Sequence, residues 1–170
     1  MLQLEDFGIN QVSERQLYFL ELPDLSALSA SLHLSSRYFN MLLACDARHI
    51  PGDVVAEAAA SLIGQGLVYI CSWGADCARV ESVFDEVIVE RNPGETERSV
   101  IMSTQHDEES LDEALWYLLH VAFPAGDYEE HCKAEVVAVV DNKEWAAQIR
   151  ARLADRDALS RDVIGKEMND

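Results

Sequence analysis

The sequence predicts an α/β fold: three-layer, Rossmann-like, with a mostly parallel sheet of five to six strands. Three observations predict it. Short apolar runs of strand length recur along the 170 residues. Stretches with apolar residues at helical spacing lie between most of them, bounded by capping residues. All but one of the intervals can hold the helical crossover that parallel strands require.

The elements follow in order. Residues 1–15 carry no clear period and predict a loose N-terminal arm. Leu17–Leu22 is a short apolar, aromatic run and the first strand. Pro23-Asp24 breaks it, and Asp24 is placed to cap a short helix through Leu25, Leu28 and Leu32. Phe39–Cys45 is almost uniformly apolar, as a strand covered on both faces should be. Pro51 suits the first turn of the next helix, where its missing N–H is no loss. Val54, Val55, Ala58, Ala59, Leu62 and Ile63 form that helix's apolar stripe, and Gly64 and Gly66 stop it. Leu67–Trp73 is a further buried strand, with Gly74 as its tight exit and Asp76 as the cap of a helix carrying Val80, Val83 and Phe84.

Val87–Glu90, rich in β-branched residues, reads as a strand. Asn92-Pro93-Gly94 is a turn signal, and the following run, Ser99–Thr104, comes too soon for a parallel crossover. An antiparallel hairpin is therefore expected between residues 87–90 and 99–104. Ser110 and Glu113 have capping-box spacing. Behind them Leu111, Ala114, Leu115, Leu118, Leu119 and Ala122 share one helical face. Residues 124–133 read as an acidic loop and Glu135–Val140 as the last strand. Asn142 is placed to cap a helix with Trp145, Ile149 and Leu153 on its apolar side. The organisation expected is an arm over residues 1–15, a single α/β domain over 16–155 and a fraying tail over 156–170.

Composition narrows the function. There are 31 acidic and 13 basic residues, a formal net charge of −18, with the acids spread along the chain. Such a field repels phosphate backbones and anionic lipid, since binding them depends on Lys and Arg replacing counterions. No nucleic-acid or membrane partner is expected. Ten arginines against three lysines suggest a GC-rich, bacterial genome. The polar, acidic N-terminus has no secretory pattern, the apolar runs are too short to span a bilayer, and the four cysteines form no CxxC. A cytoplasmic protein with reduced thiols is the expectation.

In open α/β sheets ligands bind beyond the carboxyl ends of the strands. The loops there offer Cys45, Asp46, Arg48 and His49; Ser72, Trp73, Gly74 and Asp76; Gln105, His106 and Asp107; and Asp141 and Asn142. The candidates for chemistry are Asp46, His49, His106 and Asp107, acting as acid–base groups or orienting Cys45 as a nucleophile. The candidates for ligand binding are Arg48, Ser72, Trp73, Gly74 and Asp76. Arg48 with the helix starting near Pro51 offers a grip for a small anion. Neither GxGxxG nor GxxxxGK[ST] occurs, and Ser72 lacks the glycines of a nucleophile elbow. Cys45, His49, Cys77 and His106 follow no zinc-finger spacing, so no metal and no cofactor are expected. The reading that results is a non-enzymatic binding or regulatory domain that takes a protein partner or a small-molecule ligand. Its alternatives are a small hydrolase or transferase using Asp46, His49 and His106, and an acidic immunity-type inhibitor of a basic partner.

Overall fold

A computed structural model describes residues 2–170. Six strands form one mixed sheet in the order β1-β2-β6-β3-β4-β5. They are β1 (Glu5–Asn10), β2 (Arg15–Leu22), β3 (Tyr38–Ala44), β4 (Leu67–Trp73), β5 (Met102–Gln105) and β6 (Cys132–Val140). Five strands run parallel, and β1 alone is antiparallel, paired with β2 at the edge. The helices are α1 (Gly52–Gln65), α2 (Cys77–Arg91), α3 (Leu111–His120), α4 (Gly126–Glu129), α5 (Lys143–Ala154) and α6 (Arg156–Asn169). A 3₁₀ turn covers Leu25–Ser29. Among the described residues no helix is long and apolar enough to cross a membrane.

Residues alternate faces along each central strand, so the sheet supports two cores. Phe39, Met41, Leu43 and Ile70 pack against α1, α2 and the 3₁₀ turn. Leu42, Ala44, Tyr69, Cys71, Val137 and Val139 pack against α3, α5 and α6. This is the three-layer, Rossmann-like architecture that the alternation of elements predicts.

The expected hairpin is corrected. Residues 87–90 are the end of α2, and the run after them forms β5, parallel to β4. Val80, Phe84, Val87 and Ile88 lie on one helical face and are buried together, and that packing overrides the β propensity of Val-Ile-Val. The whole of α2 thus serves as the crossover. The antiparallel pair lies instead at the N-terminus, where Glu5–Asn10, expected within a loose arm, forms β1. Its six residues are largely polar and exposed, as an edge strand tolerates, so no apolar alternation marks it. At the other end α6 runs to Asn169 where fraying was expected, capped by Asp155 and anchored by Leu159 and Val163.

Local signals fare as their physics dictates. Ser110 and Glu113 form the full capping box, and Asn142 Oδ1 accepts from Trp145 N at 2.9 Å. Asp24 does not cap, because Ser26 donates to its carboxylate. Asp76 stands at the N-cap of α2 with φ at 63° and makes no capping bond.

The chain's route defines where a site can lie. From β3 to β4 to β5 the sheet grows in one direction, with α1 and α2 on one face. From β5 the chain returns through α3 on the other face and inserts β6 between β2 and β3. Reversing direction while keeping right-handed crossovers forces the change of face. At the carboxyl ends of the adjacent strands β3 and β6, one connection therefore leaves toward α1 and the other toward α5. Chains that part to opposite faces leave a crevice between them.

Candidate functional site

That crevice is present as a cavity of about 540 Å³ between the β3–α1 and β6–α5 loops. Leu25, Ile50, Val54, Val140 and Trp145 give it apolar walls. Asp24, Ser26, Asp46, His49, Asp141 and Asn142 supply its polar groups. A second cavity of about 410 Å³ lies across Trp145 and shares Trp145 and Asp46 with the first. Its lining includes Arg48, Trp73, Gly74, His106, Asp107 and Glu109. The four candidates for chemistry thus divide. Asp46 and His49 border the first cavity, while Asp46, His106 and Asp107 border the second.

The charges are largely committed. Arg48 forms a two-pronged pair with Asp46, Nε to Oδ1 at 2.9 Å and Nη2 to Oδ2 at 2.6 Å. This pairing, joined by the Arg48 backbone N–H, holds the Asp46 carboxyl down at about 2. Asp46 is therefore an ionised, occupied carboxylate, poorly matched to proton transfer near neutrality. Arg48 is occupied in turn, so the expected grip on a small anion loses its cation. The first cavity is bordered by the carboxylates of Asp24, Asp46 and Asp141, which oppose an anionic ligand.

Several of the residues expected to bind a ligand also hold the loops together. Gly74 has φ at 118°, and a Cβ there would lie 2.1 Å from the Cys45 carbonyl oxygen. Glycine is needed because the ends of β3 and β4 stay in contact beyond the sheet, Cys45 N donating to Trp73 O and Ala47 N to Ala75 O. Asp76 accepts from Arg79 Nε at 2.8 Å, and Arg79 also donates to the Ala47 and Ile50 carbonyls. One guanidinium thus pins the β3–α1 loop to the start of α2. Ser72 is buried, lines neither cavity, and its Oγ has no hydrogen-bond partner.

All four cysteines are free and buried. Burial pushes the Cys45 thiol up to about 11, so it carries almost no thiolate at neutral pH. Among the described residues no three His, Cys, Asp or Glu side chains gather to hold a metal ion.

His106 is the most constrained of the candidates. Only 3% of it is exposed, and its ring packs edge-on against Tyr117. Nε2 lies 2.9 Å from Thr104 Oγ1. Nδ1 lies 3.0 Å from Glu109 Oε2 but has no hydrogen-bond partner in adequate geometry. Trp73 closes the same wall, donating from Nε1 to the Glu109 carbonyl at 2.8 Å and meeting Trp145 edge-on at 4.9 Å.

Glu109 and Trp145 line the cavities, and sequence reasoning does not select them. Glu109 sits in an acidic run that favours the start of α3 by its charge alone. Trp145 falls on the apolar face of α5, where a packing role is sufficient. A three-residue spacing from His106 is the only signal that points to Glu109.

Residues 17–156 match the family described as Domain of unknown function (DUF7684). No curated protein and no solved structure matches the chain.

Proposed function

On the premise that the chain belongs to this family of unknown function, we propose that it is a non-enzymatic binding domain. Its ligand is a small molecule seated in the crevice between the β3–α1 and β6–α5 loops. The carrying observation is the coincidence of a cavity of about 540 Å³ with the point where strand order reverses, between β3 and β6. That volume is in the range of small-molecule sites, and an apolar wall with a few convergent polar groups is their usual lining. The commitment of Asp46 to Arg48 and the raised Cys45 thiol support binding over catalysis. The carboxylates at its border favour a neutral or cationic ligand.

A thermal-unfolding screen against nucleotides, small anions, divalent metals and organic amines tests the reading. A ligand present at about a hundred times its Kd adds about 2.7 kcal/mol. For a chain of this length that is a rise in Tm of roughly 5–10 °C. The rise should disappear in His49→Ala and in Asp141→Asn. Asparagine is chosen at 141 because φ there is 46°, a region it tolerates. Stabilisation that survives both substitutions refutes the crevice as the binding site.

A further inference from the structure

We propose that the second cavity, on the far side of Trp145, takes the guanidinium or ammonium group of an organic cation, bridged between His106 and Glu109. This goes beyond the crevice reading and does not depend on it.

Three observations converge. His106 is more than nine-tenths buried, lines the cavity, and leaves Nδ1 without a hydrogen-bond partner. Such an orphan costs about 1–3 kcal/mol and calls for a partner. In the tautomer whose Nε2 donates to Thr104 Oγ1, Nδ1 is an acceptor. Glu109 Oε2 stands 3.0 Å from it, poorly aligned for a direct bond, so two acceptors lie side by side on residues that line the cavity. One N–H-bearing cation placed between them satisfies both.

The charge of the cavity agrees. Among the described residues Asp107 and Glu109 make no ion pair with a lysine or arginine, and the only arginine in the lining, Arg48, is already spent on Asp46. The surplus is negative, which repels phosphates and carboxylates and attracts cations. The aromatic walls agree too. Trp73 and Trp145 bring indole rings to the cavity, and indole is the best side chain for holding a cation against a π face. A planar guanidinium suits both the rings and the paired acceptors.

The cation can be a free metabolite or a side chain of an arginine- or lysine-bearing peptide, and two probes separate these. Agmatine stands for the free amine and a short arginine-containing peptide for the side chain. The readout is the three indole N–H signals in a heteronuclear NMR titration of the full chain. Trp73 and Trp145 should shift with at least one probe, while Trp116, which lines neither cavity, stays fixed and reports an intact fold. Glu109→Gln should weaken binding about tenfold or more, the usual consequence of losing one charged contact. Asp107→Asn, on an exposed side chain, should weaken it less.

Failure of both probes to move Trp73 at millimolar concentration overturns the proposal. So does an affinity unchanged by Glu109→Gln. Shifts confined to the backbone amides of Asp24, His49 and Asp141 also overturn it, while leaving the crevice reading intact. Conversely, loss of the crevice reading by its own substitutions does not move the Trp73 signal.

Discussion

Replacing Arg15 with methionine should destabilise the protein by an amount that depends on pH. Glu135 lies at the centre of the amino end of the sheet and is fully buried. Its carboxylate accepts from Asn10 Nδ2 at 3.0 Å and from Arg15 Nη1 at 3.4 Å. Burial raises its carboxyl above the ordinary range, and Asn10 and Arg15 oppose that rise. Methionine preserves most of the apolar stem of Arg15 and removes the charge. A buried carboxylate stripped of its cation costs about 3–5 kcal/mol. At roughly 2–4 °C per kcal/mol for this chain length, Tm should fall by about 6–20 °C near neutrality. The sign of the pH dependence follows from linkage. A carboxyl whose folded pKa is raised contributes stability that is complete below its unfolded pKa and is lost as pH rises through the folded one. Without Arg15 the folded value rises further, so the deficit relative to wild type grows toward neutral pH and shrinks on acidification. Part of the loss is independent of pH, because Arg15 also donates from Nε to the Cys132 carbonyl and lies over the Phe123 ring. Urea unfolding of both proteins at pH 7.5 and pH 5 separates the two parts. Equal deficits at both pH values would refute the charge argument, as would a failure of Glu135→Gln to restore stability to Arg15→Met at neutral pH.

Two further outcomes follow from the loops at the carboxyl ends. Gly74→Ala meets a carbonyl oxygen at 2.1 Å and a positive φ together. The backbone term alone is about 1–3 kcal/mol, so Tm should drop by at least a few degrees; an unchanged melting curve would mean that the β3 and β4 loops are free to part. Arg48→Ala should raise the Asp46 carboxyl from about 2 toward the ordinary value near 4, read by NMR titration of its side chain. Because the folded value is depressed, Asp46 favours the fold above its unfolded pKa, and that contribution fades as pH falls through the folded value. A titration unmoved by the substitution would show that the Asp46–Arg48 fork does not persist in solution.

Much of this fold was legible because its central strands are covered on both faces. Leu67–Trp73 is recognisable to the residue, since a buried parallel strand is continuously apolar and glycines bound it. The capping box at Ser110 is legible for a similar reason, as its bonds are local. The misreadings fall where tertiary contacts decide. Residues 87–90 have the composition of a strand, but α2 buries Val87 and Ile88 on the face already begun by Val80 and Phe84. β1 has no buried stripe to announce it, and α6 hides only Leu159 and Val163. The site is legible in part. The rule of carboxyl ends points to loops that border cavities, and Asp46, Arg48, Trp73, His106 and Asp107 line one of them. What the rule does not contain is which of these groups is already engaged. The Arg48–Asp46 fork and the three-way hold of Arg79 arise from side-chain geometry, and they leave both guanidinium groups engaged within the loops.

The two ends of the sheet treat buried polarity in opposite ways, and that contrast supports the proposed site at the carboxyl end. At the amino end, Asn10 Nδ2 donates to the Leu119 carbonyl and Asn40 Nδ2 to the Ala122 carbonyl, so both amides serve the free end of α3. Arg15 and Glu135 complete the network, and each buried side chain in it has a partner. Such closure fixes packing and leaves nothing to offer a ligand. At the carboxyl end, Ser72 Oγ and His106 Nδ1 are two of the three buried side-chain atoms left without a partner among the described residues. Folding tolerates such orphans at a cost of about 1–3 kcal/mol each. Stability alone gives no reason to keep them on the side of the sheet where the loops part and the cavities open. A ligand that supplies the missing partner at His106, as proposed above, would give that reason.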